Sequence, residues 1–128
     1  MLEIISDPDY DLIERMKGDV VEVGEELTAR RIIRHYEIEV FPGIDQMSQE
    51  IHAVFYNPRH DRSVSVWISN FFSAQNDNPF GCRAQLWGKA SSSRPDAHHS
   101  VRLSDHLVVP VCADSISCAV SDLITLKV

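Results

Sequence analysis

Ile51-His52-Ala53-Val54-Phe55-Tyr56-Asn57-Pro58-Arg59-His60-Asp61-Arg62-Ser63-Val64-Ser65-Val66-Trp67-Ile68-Ser69 is the stretch that decides the fold. Ile51, Ala53 and Phe55 alternate with His52, Val54 and Tyr56; Val64, Val66 and Ile68 then alternate with Ser63, Ser65 and Ser69. A period of two puts each set on one face of a strand. Asn57, Pro58 and Asp61 between them are turn formers, through side-chain hydrogen bonds to backbone and a fixed φ. The spacing predicts a hairpin with one apolar face and one wetter, hydroxyl-bearing face, as in an antiparallel pair.

Toward the C-terminus, Cys82, Ala84 and Leu86 alternate with Arg83, Gln85 and Trp87, a further short strand. Residues 72–81 and 90–100 read as loops, the first on Asn76-Asp77-Asn78-Pro79 and the second on three serines and Pro95. Val101 and Leu103 open another strand. Leu107 to Cys112 follows as a strand that Pro110 confines to an edge or bulge. Ile116, Cys118, Val120, Ile124, Leu126 and Val128 share one parity, broken by Asp122; this predicts a long strand or one bent at Ser121-Asp122.

Toward the N-terminus, Leu2 to Ile5 reads as a short strand. Asp7-Pro8-Asp9 is a helix start: Asp7 caps, Pro8 suits the first helical position, and Asp9 and Asp11 meet the positive end of the dipole. Leu12, Ile13 and Met16 form its apolar stripe and Gly18 its stop, which predicts a helix over 8–17. Val20 to Val23 reads as a strand closed by a Gly24-Glu25 turn. Residues 25–36 fit two periods. A helix over 25–35 would align Ala29, Ile32, Ile33 and Tyr36. A strand over 30–41 is preferred, because alternation runs on through Ile38 and Val40 to Pro42-Gly43.

The tally is seven or eight strands and one or two helices, joined mostly by short turns. It predicts a mainly β fold, an antiparallel sandwich or barrel of about seven strands with one N-terminal helix, in a single domain over 1–128. An α+β arrangement is the alternative. At 128 residues and 44% hydrophobic, the chain can bury a core without metal or disulfide. No apolar run approaches the ~18 residues of a membrane span, and the start Met1-Leu2-Glu3 lacks the basic end of a secretory signal. Cys82, Cys112 and Cys118 are odd in number, form no Cys-x-x-Cys and fall at apolar-parity positions. They predict reduced core thiols in a cytoplasmic compartment.

The net charge of −7 is unevenly spread. Residues 1–26 hold nine acids against Arg15 and Lys17, whereas residues 27–128 hold ten of each sign. The excess lies wholly in the first fifth of the chain. A phosphate backbone is bound by Lys and Arg, so this distribution points to a protein partner with a basic surface and away from direct nucleic-acid binding. The expectation is a non-catalytic protein-binding module, of the kind of a small acidic inhibitor, immunity protein or viral or phage anti-defence protein, that blocks a basic nucleic-acid-binding surface. The candidate contacts are Asp7, Asp9, Asp11, Glu14, Glu22, Glu25 and Glu26. Trp67 and Trp87 join them, because with Phe71 they fall on the parity opposite the main apolar residues and form either a second layer or a contact surface.

Two other classes are carried forward. One is a structural subunit of a virion or other homo-oligomeric assembly. The other is a small metal-dependent hydrolase using Asp96, His98, His99, Asp105 and His106, although their spacing matches no common ligand pattern. His60-Asp61 is accounted for by turn chemistry, and His35 and His52 by places in a sheet. Ser91 to Ser93 lack a nucleophile-elbow context, and the dispersed glycines form no phosphate loop. No catalytic residue, metal ligand or cofactor is assigned.

Overall fold

The computed structural model describes residues 8–41, 50–59, 61–69, 81–89 and 100–126. In chain order the elements are α1 (Pro8–Ala29), β1 (His35–Phe41), β2 (Glu50–Tyr56), β3 (Arg62–Ser69), β4 (Gly81–Lys89), β5 (Ser100–Leu107) and α2 (Ala113–Ile124). The strands form one open antiparallel sheet in sequence order, β1-β2-β3-β4-β5. Both helices pack on one face, α1 against β1 and β2, α2 against β3 and β4, and they touch each other. The fold is mainly β with five strands; the expected closed barrel or second sheet is not formed by the described residues, whose second layer is the helix pair.

The hairpin stands as read. Ile51 lies opposite Ile68, Ala53 opposite Val66 and Phe55 opposite Val64, all fully buried under the helices. Its turn is held by Asn57, whose Oδ1 accepts from the backbone N–H of Asp61 at 3.1 Å and of Arg62 at 3.2 Å. Asn57 Nδ2 donates to the Asp61 carboxylate at 2.6 Å and holds that carboxyl below its ordinary pKa.

The chain departs from expectation at three places. The first helix does not stop at Gly18, and Val20 to Val23 is not a strand. Met16, Val20, Val23 and Leu27 are buried at the i, i+4, i+7, i+11 spacing of one continuous helix. Gly18 faces open space. Gly24 is a packing glycine: a Cβ there would lie 2.6 Å from the Tyr36 ring of β1. The true stop is at Arg31, which has φ 61°. Its N–H donates to the Thr28 carbonyl, and the Ile32 N–H donates to the Leu27 carbonyl, each at 3.0 Å, the paired bonds of a Schellman cap. Glycine, the usual signal, is missing from that position. The preferred strand over 30–41 therefore shortens to His35–Phe41, and the helical alternative over 25–35 holds only as far as Ala29.

The second departure is residues 107–112. Leu107 ends β5, and 108–112 is a connection, not a strand. The third is the C-terminal run, which is α2. Ile116, Val120 and Ile124 satisfy both a period of two and the i, i+4, i+8 spacing of a helix. Leu123 breaks the tie: it is buried, while Cys118, which a strand would bury, is exposed. At about 1.5–3 kcal/mol per buried aliphatic side chain, the helical phase is favoured by exchanging Cys118 for Leu123 in the core. The predicted strand over Leu2–Ile5 lies outside the described residues, as do Pro42-Gly43 and most of both predicted loops.

Candidate protein-binding surfaces

The outer side of α1 follows from its inner side. With the buried stripe at Met16, Val20, Val23 and Leu27, positions 14, 18, 22 and 25 fall on the opposite side of the cylinder. Glu14, Glu22 and Glu25 are exposed there, with Gly18 among them. At 1.5 Å per residue this row extends about 16 Å along the helix. Glu26 is also exposed and lies 3.7 Å from Arg30, an exposed i,i+4 ion pair of a kind that contributes little. Glu25 accepts a 2.8 Å hydrogen bond from the Tyr36 hydroxyl. Burial, followed by this bond and the charge of Glu25, raises the Tyr36 pKa and keeps the phenol protonated. Asp7 precedes the described residues; Asp9 and Asp11 fall in the first turn of α1, where side chains lie outside the described part.

Trp67 and Trp87 are on the other side of the molecule. Both sit on the sheet face turned away from the helices, in register with His52 and Ser63 respectively. Trp67 is 37% exposed and stacks on the His52 ring at a 3.7 Å centroid distance. Trp87 is half-buried and donates its indole N–H to Ser65 Oγ at 2.6 Å. The structure therefore separates the residues expected to form one site: carboxylates outside α1, indoles beneath the sheet. Phe71 lies outside the described residues.

Reasoning from the sequence missed a second charged group. Glu37 and Glu39 alternate with the core-packed Ile38 and Val40, so β1 turns them onto the helix-free face beside β2. Tyr56 donates to Glu37 at 3.3 Å. Glu50 and His52 lie next to them in register with Phe41 and Glu39. Burial lowers the His52 pKa, against the opposing pull of Glu39 and Glu50. At the far side of the same face, Asp105 lies 3.4 Å from Arg83 and 3.6 Å from Arg102. A balanced count over residues 27–128 conceals this separation, which the alternation of charge with apolar residues in β1 signals once the strand is recognised.

The remaining candidates carry no visible chemistry. Of the 96–106 group, Asp96, His98 and His99 lie outside the described residues. Asp105 is engaged by two arginines, and His106 shares a 2.5 Å hydrogen bond with Ser104. Among the described residues no group of three His, Cys, Asp or Glu side chains is placed to hold a metal ion. His60 is outside the described residues; His35 stacks on Tyr56 at 4.4 Å. The cysteines divide. Cys82 is buried in β4, and burial pushes its thiol up to about 12. Cys118 is exposed and Cys112 half-buried, so the expectation of three core thiols holds only for Cys82. Cys112 occupies the N-cap of α2, where the Ser115 hydroxyl at 3.3 Å, with backbone N–H groups, lowers its pKa. No described helix is long and apolar enough to cross a membrane. Neither a family model, nor a curated protein, nor a solved structure matches the chain.

Proposed function

We propose that the chain is a non-catalytic protein-binding module, of the acidic inhibitor or anti-defence kind, that occupies a basic surface of a protein partner through the outer side of α1. The supporting observation is the row of exposed carboxylates, Glu14, Glu22 and Glu25, on a helix whose opposite stripe is locked into the core. A helix anchored in this way presents its charges without ordering cost at the moment of encounter. An exposed row of one sign steers association with a basic partner and competes for surfaces that hold phosphates. Asp7, Asp9 and Asp11 precede these glutamates in sequence and add to the acidic excess of the segment. The free thiols suit a reducing, cytoplasmic setting.

The test compares the wild type with a variant carrying Glu14→Gln, Glu22→Gln, Glu25→Gln and Glu26→Gln, each immobilised and exposed to extract from the source cells. A basic protein should be retained by the wild type, eluted by salt and lost from the variant. Its association rate at low salt should drop by about tenfold or more on neutralisation. Identical binders with identical rates on both surfaces would refute the proposal.

A further inference from the structure

The open sheet has two edges, and they differ. On β5 an extra residue, Leu103, stands between the partners of Leu86 and Trp87, and Arg102 is paired with Asp105. A bulge and charges of both signs turn an edge away from further pairing. β1 pairs with β2 over seven consecutive residues without a shift and contains no proline. Among the described residues no strand lies on its far side.

The hydrogen-bond phase of β1 follows from its neighbours. The Asn57 N–H donates to the Arg62 carbonyl, and the Tyr56 carbonyl accepts from the Arg34 N–H. Asn57 thus faces β3 and Tyr56 faces β1, and the alternation of an antiparallel pair turns Val54, His52 and Glu50 toward Glu37, Glu39 and Phe41. The backbone N–H and C=O groups of Tyr36, Ile38 and Val40 then point out of the edge.

The side chains give this edge a chemical pattern. Ile38 and Val40 are half-buried, while Ala53 and Ile51 opposite them on β2 have no exposed surface. The apolar layer therefore ends unfinished at β1. On the open face the edge presents Glu37 and Glu39, both exposed, with Glu50 on the next strand, and neither β1 nor β2 contains Lys or Arg. A second β1 laid on this edge sets glutamate against glutamate, which is unfavourable. A strand with basic residues opposite Glu37 and Glu39, and apolar residues opposite Tyr36, Ile38 and Val40, satisfies both faces.

We propose that β1 accepts an extended basic segment of a protein partner as a sixth, antiparallel strand. The proposal rests on the reading of the partner as basic, and it supplies the backbone contacts that a row of carboxylates on α1 lacks.

A seven-residue peptide alternating Arg and Val, titrated into the nitrogen-15-labelled full chain, tests this. Binding at ~10–100 μM is expected, with amide exchange at Tyr36, Ile38 and Val40 slowed about tenfold or more. N-methylation of the Val amides, which face β1, should abolish binding; N-methylation of the Arg amides should leave it within about twofold. Glu37→Lys with Glu39→Lys should weaken binding about tenfold or more and admit a peptide alternating Glu and Val instead. If that variant does not fold, the N-methyl series on the wild type decides alone. The α1 variant with four glutamines should still bind the Arg–Val peptide, so failure of the α1 reading in the extract experiment leaves this result standing. No binding of the Arg–Val peptide, or equal damage from the two N-methyl series, would overturn the proposal.

Discussion

The two faces of the sheet are made from the same five strands and differ in almost every physical respect. On the covered face, Phe55, Ile51, Val64, Val66, Ile68 and Leu86 have no exposed surface. On the other face, the residues between them include serines, glutamates, arginines and aromatics, most of them half-buried or exposed, with Ser65 buried beneath Trp87, whose indole N–H it accepts. The covered face stabilises the fold. The open face retains polar and aromatic groups that the fold does not require. Where a side chain is not needed for stability, its chemistry becomes informative about contacts.

Substitution along a single hairpin gives the largest test of this contrast. Phe55→Ala removes a fully buried ring and is expected to cost about 3–5 kcal/mol. Trp67→Ala, a larger truncation on the open face, should cost about 1 kcal/mol, since its surroundings are partly solvent. Urea denaturation of both variants measures the difference. Equal losses would mean that the open face is a second core.

The glycines of α1 sharpen the contrast on the helix side. Gly24→Ala drives a methyl into the Tyr36 ring and should destabilise by about 1–3 kcal/mol. Gly18→Ala meets nothing and should stabilise by about 0.5–1 kcal/mol through helix propensity. Thermal melts of the two variants should move in opposite directions.

The smallest effect lies with His52. Its folded pKa is lowered, chiefly by burial, so near pH 6 the unfolded chain binds more protons there than the folded one. The stability contribution is complete above the unfolded value of about 6.5 and is lost as pH falls toward the folded pKa. Wild type should therefore lose more stability than His52→Gln between pH 7.5 and pH 5.5, as read from urea midpoints. A loss of equal size in both would remove His52 from the pH dependence.

Legibility varied with the physical signal. The hairpin over 51–69 and the strand at Cys82–Trp87 were readable, because apolar alternation, a turn between its arms and β-branched residues all agreed. The length of α1 was not. Gly18 and Gly24 imitate stops, and the true cap uses Arg31 at φ 61°. The character of α2 was hidden because Ile116, Val120 and Ile124 satisfy both periods. Of the candidate surface, Glu14, Glu22, Glu25 and Glu26 were legible as a charge excess and are exposed on α1. Their separation from Trp67 and Trp87 was not, since parity reveals that a residue leaves the core but not what lies beyond.

The sequence by itself determined the paired strands and the crowding of acid into the first 26 residues. These are local or additive properties, set by neighbours along the chain. Tertiary structure alone decided that the two apolar stripes share one face of an open sheet, and which of two periods residues 113–124 follow. It also decided that Glu37, Glu39 and Glu50 stand on one half of the other face, and Arg83 and Arg102, with Asp105 between them, on the other. Each of those depends on which distant segment supplies the missing contact, and burial against that segment outweighs local preference.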